Sequence, residues 1–368
     1  MTSHLRNQRR LGRFVTALTP FLVTLGLVAA LHLAISSPTA AQPERKLRVT
    51  LQLPITNHLG RNLTAFKEIV EKQTEGRISI EIFDKAQLYR DNEVIDAVRN
   101  GKIEMGTVAL NQFRAHVPAV DIFGQPFMFN LAPILKVATS PSNDIRKRLD
   151  EAIVKKTGTV PLWWQPYGTT VFFSRGRDGV RQPQRIKGRK VRVISAAEGE
   201  FIRLCTGLPN RIPGSKQFAA LENGPVELGI TGVSGVRSRN LWQVTDTITT
   251  TNHSAIEFVV IINQAVWSSL GERDRDIISK AAVSVERQLR DGYADIETAS
   301  YAFAREKNMT IVEVAPNDLL EWRACSARML DQFLARSGEL GQRLMADYGR
   351  LRLDPCCSSG PPGRFTRH

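Results

Sequence analysis

Short apolar strands alternate with amphipathic helices along the first part of the chain. Residues 47–54, 78–83 and 103–110 each have the composition of a strand, and the apolar residues between the first two recur at helical spacing until Gly76. A further helix is predicted to begin at Asp91 and to end before the third strand. Alternation of this kind is typical of a parallel sheet covered by helices, so the sequence predicts an α/β fold.

A second series of strands and helices begins near Pro161 and ends with the apolar strand 257–263. One long helical stretch follows from Glu272 to Lys307, and a helix of that length, roughly 54 Å, can lie across two lobes. A last helical pattern covers 317–350. The 327 residues that follow Ala41 exceed what one core usually serves, so we expect two lobes. The strands predicted in the second series, before the last one, are 162–164, 171–174, 191–194 and 227–232.

The N-terminus has the composition of an export signal. The first 41 residues carry four arginines and no acid, then an apolar run from Phe14 to Ile35, then small residues up to Ala41. We expect cleavage after Ala41 and a periplasmic location; because the run is long enough to span a bilayer, an uncleaved membrane anchor is the alternative. At the other end, residues 354–368 show no periodicity and predict a disordered tail.

The chain is basic, with a formal net charge of +14. Part of this excess comes from arginines in the N-terminal signal and the C-terminal tail, so the charge of the rest favours anionic partners only weakly. The lysines and arginines are not clustered with aromatic residues. We therefore expect no nucleic-acid partner.

Nothing in the sequence has the spacing of a catalytic or metal-binding motif. The six histidines are dispersed, and neither an HExxH, a GxGxxG nor a phosphate-loop pattern occurs. We expect no catalytic residues, no metal site and no cofactor, with an extracytoplasmic enzyme assembled from distant residues as one alternative. Cys205 and Cys325 are predicted to be buried free thiols, with a disulfide between them as the alternative.

Arg192 is the strongest candidate for a binding residue. It follows a tight Lys-Gly-Arg turn and lies in a valine-rich strand within the segment 185–195. A planar, permanently charged guanidinium placed in this way suits a carboxylate, because it can donate two parallel hydrogen bonds. The alternative is a solvated arginine on a strand edge.

From about Leu47 to Arg350, the chain resembles the solute-binding subunits of the tripartite ATP-independent periplasmic (TRAP) transporters, in their dicarboxylate-type, DctP-like branch. The resemblance implies a two-lobed periplasmic-binding-protein clamshell, similar to type II, with hinge strands and a long helix that spans both lobes. It implies lobe boundaries at 42–169 plus 258–298 and at 170–257 plus 299–353. The segments that carry it are FKEIVEKQTEGRISIEIF, AQLYRDNEVIDAVRNGKIEMG, PAVDIFGQPFMF, IKGRKVRV, AALENGPVELGITG and TNHSAIEFVVIIN.

The resemblance also implies a function. Proteins of this kind bind an organic acid in the cleft and deliver it to a membrane permease driven by an ion gradient, and they are not enzymes. Arg192 matches the anchor arginine of the family, Gln52 falls where a polar side chain faces the ligand, and Asp91 is predicted to bind a hydroxyl or amine. An ordinary helix N-cap is the alternative for Asp91. A binding protein of an ATP-driven importer or of a sensor system is the alternative function.

The chain departs from the family pattern at three positions. Thr231 replaces an asparagine that many members have, Thr170 stands where sugar-acid binders have a second arginine, and Gly214 stands where a ligand-stacking aromatic is usual. A sialic-acid type of site is therefore not expected, and a simpler monocarboxylate or an aromatic or keto acid fits as well. Trp164 and Tyr167 are predicted to form a flat apolar wall of the cleft.

Overall fold

A computed structural model describes residues 45–353 of the protein. The predicted signal peptide, its cleavage after Ala41 and the predicted tail 354–368 lie outside these residues. Within 45–353, no helix is both long and apolar enough to cross a membrane. Over the same residues, no group of three or more histidine, cysteine, aspartate or glutamate side chains could hold a metal ion.

The fold is α/β, as the alternation predicts. The strands are β1 Arg45–Thr50, β2 Ile78–Phe83, β3 Met105–Ala109, β4 Thr159–Ser174, β5 Lys190–Val193, β6 Leu208–Arg211, β7 Leu228–Gly232, β8 Thr247–Thr250, β9 Ala255–Asn263 and β10 Thr310–Glu313. The helices are α1 His58–Gln73, α2 Val94–Arg99, α3 Ala132–Ala138, α4 Asp144–Thr157, α5 Ala196–Leu204, α6 Gln217–Glu222, α7 Gly235–Ser238, α8 Gln264–Ser269, α9 Glu272–Asp291, α10 Tyr293–Glu306, α11 Pro316–Cys325 and α12 Met329–Leu353. A kink at Gly338, whose backbone is not helical, divides α12.

The strands form two groups joined through β4. In the first group, β1 pairs in parallel with β2 and β3, and the antiparallel strand β9 joins β3 to the first part of β4. In the second, the end of β4 pairs with β7 and β8, and β7, β5 and β6 run parallel. Each group has its own pair of hydrophobic clusters, so the fold has two lobes. The residue boundaries given above for the lobes stay a prediction.

The 16-residue strand β4 replaces the two separate strands predicted at 162–164 and 171–174. Two register shifts interrupt its pairing with β9, between Pro161 and Trp163 and between Pro166 and Gly168. Pro166 and Gly168, which flank the second shift, are weak strand formers. Bulges leave Leu162 and Tyr167 out of the pairing, and the strand continues from one lobe into the other.

The predicted single helix from Glu272 to Lys307 is two helices. Gly292 separates α9 from α10, which is consistent with the weak helix propensity of glycine. Helix α9 packs against α1 and β4 of the first lobe, whereas α10 packs against α7 and β10 of the second. The pair therefore spans both lobes, as expected of the longer helix.

Cys205 and Cys325 form a disulfide, so the prediction of free thiols is wrong. Cys205 follows α5 and Cys325 ends α11, and their Cα atoms lie 5.2 Å apart. Phe201 and Trp322, one from each of these helices, pack in the same hydrophobic cluster. This packing brings together two cysteines that are 120 residues apart in sequence, which no local pattern reveals.

Candidate functional site

A cavity of about 240 Å³ lies between the two lobes. Its walls come from both, because Gln52 and Asp91 belong to the part of the chain around β1 to β3, whereas Arg192 and Thr231 lie on β5 and β7. Tyr167, on the shared strand β4, also lines it. The structure thus brings together five of the seven residues that the sequence singles out.

Arg192 is held rigidly in this cavity. Gly188, with φ of +69°, makes the turn that leads into β5, and Ser195 ends the strand by capping α5 through a bond to the Glu198 amide. The Arg192 side chain is 2% exposed, and its guanidinium donates from Nε to the Ile212 carbonyl at 2.9 Å and from Nη1 to the Ile230 carbonyl at 2.6 Å. The solvated-arginine alternative is therefore wrong.

No carboxylate of the described residues is in contact with Arg192, and the charges of Glu198 and Asp91 act on it only from a distance. Burial, and after it the neighbouring cation Arg239, lower the pKa of Arg192 to about 9, which leaves it charged at neutral pH. Among residues 45–353, no carboxylate oxygen lies within 4.0 Å of its guanidinium nitrogens. A buried, fixed cation of this kind can bind an anion that enters the cavity.

A second arginine, Arg239, lines the same cavity and was missed in the sequence. It follows the four-residue helix α7, and its Nη1 donates to Thr231 Oγ1 at 2.8 Å and to Gln217 Oε1 at 3.1 Å. Its guanidinium carbon lies 5.8 Å from the centre of the Tyr167 ring. No motif marks Arg239, because it lies in a polar turn whose path depends on the folded lobe.

Asp91 and Gln52 present acceptor atoms from the first lobe. Asp91 Oδ1 and Gln52 Oε1 are buried and have no hydrogen-bond partner among the described residues. Burial raises the pKa of Asp91, and the charges of Arg239 and Arg192 oppose that rise. The N-cap alternative for Asp91 is wrong, since α2 begins at Val94 after the cap residue Glu93.

Tyr167 forms an aromatic wall. Its ring stacks on His58, with the ring centres 5.3 Å apart, and packs against Phe258 at the same distance. Burial lowers the pKa of His58 to about 4, so the imidazole is neutral at pH 7, and its Nε2 lies 3.1 Å from the Pro166 carbonyl oxygen. The imidazole that stacks on Tyr167 is therefore uncharged.

Trp164 and Thr170 do not line the cavity. Trp164 is fully buried in a hydrophobic cluster and donates from Nε1 to Asp150 Oδ1 at 2.8 Å. Strand alternation points Trp163 to the opposite face, where it also lies in the core. Thr170 Oγ1 lies 3.0 Å from Ser254 Oγ and accepts from the Ser254 amide at 3.1 Å, so it joins β4 to the segment before β9.

One hydrogen bond crosses the mouth of the cavity. Arg211, at the end of β6, donates from Nη2 to Oε1 of Gln112 in the other lobe at 2.8 Å. Both residues line the cavity, and neither was predicted from the sequence. The contact ties the two lobes together on the solvent side of the site.

A family model matches residues 52–337, and its description is bacterial extracellular solute-binding protein, family 7, or DctP. The match covers most of the chain and contains every cavity residue described above. The chain belongs to this family.

Curated relatives agree with the DctP assignment. The C4-dicarboxylate-binding periplasmic protein DctP of Shewanella loihica is 21% identical over 76% of this chain and 82% of its own length. The protein of the same name from Rhodobacter capsulatus is 26% identical over 68% of this chain and 74% of its own. DctP-family proteins are solute receptors, and the cavity between the lobes is the candidate solute site of this one.

Solved structures share the fold of this DctP-family chain. A TRAP periplasmic solute-binding protein from Sulfurospirillum deleyianum, crystallised with succinate, superposes with a TM-score of 0.76 at 21% identity, covering 83% of this chain and 99% of the other. The Bordetella pertussis receptor DctP7, crystallised with pyroglutamic acid, gives a TM-score of 0.78 at 19% identity over 83% and 99% of the two chains. The two-lobed architecture is thus common to all three.

Proposed function

We propose that this protein is the extracytoplasmic receptor of a TRAP transporter and that it captures an organic acid with Arg192. The observation that carries the proposal is the guanidinium itself, which is 2% exposed, fixed by the Ile212 and Ile230 carbonyls, and without a carboxylate within 4.0 Å among the described residues. An uncompensated buried charge is costly, and a bound carboxylate would compensate it through charge-assisted hydrogen bonds.

The ligands of structural neighbours support the same solute class. Neighbours were crystallised with succinate, D-glucuronate, D-erythronate and pyroglutamic acid. These compounds share a carboxylate and little else, so a site that anchors the carboxylate serves them all. A cavity of about 240 Å³ has room for an acid of this size, and its unpaired acceptors on Asp91 and Gln52 suit hydroxyl groups.

The proposal includes a partner and a location. We infer that the protein acts in the periplasm after removal of residues 1–41 and docks on the membrane permease of its transporter. We infer lobes at 42–169 plus 258–298 and at 170–257 plus 299–353, which close around the acid. Family membership supports both inferences, and the hydrogen bond from Arg211 to Gln112 is a contact that closure would form.

Calorimetric titration tests the proposal. The mature chain from Gln42 is unfolded and refolded to remove carried ligand, then titrated with a panel of succinate, D-glucuronate, D-erythronate and pyroglutamate. We expect at least one acid to bind and Arg192→Lys to weaken it at least about tenfold, because an ammonium cannot donate the two parallel bonds of a guanidinium. Arg185→Lys is the matched control, since Arg185 is exposed and lies outside the cavity in the same segment.

Two results would contradict the proposal. Equal affinities of the protein and of a folded Arg192→Lys variant would show that Arg192 is not the anchor. Chemical change of the bound acid after long incubation, detected by mass spectrometry, would favour an extracytoplasmic enzyme instead.

A further inference from the structure

Glu198 is bonded to the end of the strand that carries Arg192. It lies in the first turn of α5, which follows β5 after Ile194 and Ser195. Its Oε2 accepts from the Ile194 amide at 2.7 Å, and its own amide donates to Ser195 Oγ at 3.0 Å. These two bonds fix the turn between β5 and α5, so Glu198 and Arg192 belong to one local unit of the second lobe.

The Glu198 carboxylate is buried and only partly paired. The residue is 3% exposed, and its Oε1 has no hydrogen-bond partner among residues 45–353. His253 Nε2 lies 3.5 Å from this oxygen, which is long for a hydrogen bond, and the His253 ring stacks on Phe201. A buried carboxylate is unfavourable unless positive charge compensates it, so a cation near Glu198 stabilises the fold.

The charge of Glu198 acts on Arg192. Burial and then Arg239 lower the pKa of Arg192, and Glu198, ahead of Asp91, opposes that lowering. Asp91 comes from the part of the chain around β1 to β3 and lines the cavity, whereas Glu198 lies outside the cavity lining. Because the turn joins Glu198 to β5, its distance from Arg192 does not depend on the position of the first lobe.

We propose that Glu198 is a partial counter-charge of Arg192 in the ligand-free protein and that it limits how tightly the cavity binds an acid. Its carboxylate stabilises the guanidinium from a distance and leaves it able to bond to the solute. The same charge repels the solute carboxylate. Glu198 is therefore a positioning residue that touches neither cavity nor acid. This inference rests on the proposed function, which makes Arg192 the anchor.

Glu198→Gln tests the inference, because glutamine keeps an acceptor for the Ile194 amide and loses the charge. Succinate, D-glucuronate, D-erythronate and pyroglutamate are titrated by calorimetry into the protein and into this variant. We expect the affinity of each acid that binds to rise about fivefold, since its carboxylate no longer meets a buried charge of the same sign. Without ligand, the variant should unfold at lower urea concentration, because Arg192 has lost its counter-charge.

Two further variants separate charge from structure. Ser195→Ala removes the bond to the Glu198 amide but keeps the charge, so it should lower stability without raising affinity. Glu200→Gln is the matched control for charge. Glu200 lies on the same helix but pairs directly with Arg336 at 3.1 Å, so its loss should leave acid affinity within about twofold.

A double-mutant cycle with Arg192→Met gives a readout that needs no acid. Glu198→Gln should lower the unfolding free energy of the unsubstituted protein by about 1 kcal/mol, the same fivefold factor, and should raise it in the Arg192→Met background. The double variant keeps the test available if Glu198→Gln alone does not fold. Additive losses would show that His253, and not Arg192, compensates Glu198, and would overturn the inference.

The outcomes also separate the two proposals. If folded Glu198→Gln binds every acid no more tightly than the unsubstituted protein, while Arg192→Lys still weakens binding, the inference about Glu198 is wrong and the proposed function stands. If the unsubstituted protein binds no acid at all, both are wrong.

Discussion

Two regions of this molecule bury arginines. In one, carboxylates pair with the guanidinium groups, and in the other they do not. Beneath β4 and β9, Arg146 and Arg290 both bond to Glu286, and Arg290 also bonds to Glu257 at 3.0 Å. In the cavity, Arg192 bonds only to backbone carbonyls. In the first region, the ion network, each arginine has a carboxylate partner without any ligand. In the cavity, Arg192 has no carboxylate in contact with it.

The difference shows how stability and binding are divided. Removing one member of a completed buried ion pair leaves its partner uncompensated, and the folded state bears the cost. Removing the cation of an incomplete pair takes away a charge that only a ligand would satisfy. Substitutions in the two regions should therefore affect different quantities.

Arg192→Met should give the largest effect. Affinity for the best acid of the panel should fall several thousandfold, by about 5 kcal/mol, because Met cannot compensate a desolvated carboxylate. The unfolding free energy of the ligand-free protein should change far less, since a buried uncompensated charge is lost along with two hydrogen bonds. Calorimetry and urea denaturation measure the two; a large loss of stability without ligand would remove the contrast.

Glu286→Gln should have the opposite pattern. We expect a loss of about 4 kcal/mol in unfolding free energy, measured by urea denaturation, with acid affinity kept. Asp276→Asn is the matched control on the same helix, because Asp276 also pairs four residues away, with Lys280, but both side chains are more than half exposed. It should cost less than about 0.5 kcal/mol, and equal costs for the two would mean that burial is not decisive.

The disulfide offers a change that touches neither region. Replacing Cys205 and Cys325 by serine should lower the unfolding free energy by about 3 kcal/mol, since the bridge closes a long loop in the unfolded chain. Neither cysteine lines the cavity, so acid affinity should be unchanged. Reductant should lower the unfolding free energy of the unsubstituted protein to that of the double variant. A change in the acid affinity of the double variant would show that the second lobe transmits strain to the site.

Asp150, at the edge of the ion network, should give the smallest effect. Burial raises its pKa from the usual 3.8 to about 6, so the folded state holds the proton more tightly than the unfolded chain. This contribution to stability is complete below pH 4 and is lost as the pH rises through 6. Asp150→Asn should therefore be more stable than the unsubstituted protein by about 1 kcal/mol at pH 8 and no more stable at pH 4, an effect limited by the 28% exposure of the side chain.

Urea denaturation at both pH values measures this difference, and Glu151→Gln, an exposed neighbour on α4, is the control for the loss of a surface carboxylate. A gain that is larger at pH 4 than at pH 8 would mean that the Asp150 pKa is lowered.

The parts of the fold that depend on local pattern were predictable. Strand β2 matches the prediction residue for residue, and Arg192 was identified because a glycine turn and a short valine strand determine its position within a few residues. Arg239 could not be found in this way, because its distance from Arg192 is set by three strands and a four-residue helix. Gly214 is the sequence feature that relates to its position, because a Cβ atom on Gly214 would lie 2.5 Å from Arg239 Nη2.

Trp164 shows a second limit of prediction from sequence, because it lies in the core and not at the cavity. Period-2 alternation correctly separates Trp163 from Trp164, yet both faces of the sheet are buried there. Alternation tells which side chains share a face, and only the packed helices tell whether that face reaches the cavity. The buried partner of Trp164, Asp150, lies on α4, which no property of the strand predicts.

Because both lobes contain part of the single strand β4, their unfolding is expected to be coupled. Its sixteen residues pair with β9 in the first lobe and with β7 and β8 in the second, so neither sheet can open without freeing backbone that the other needs. A two-lobed outline would suggest two melting transitions. Because the lobes share a strand rather than a linker, we expect one cooperative transition, so that the free energies compared above refer to the whole molecule.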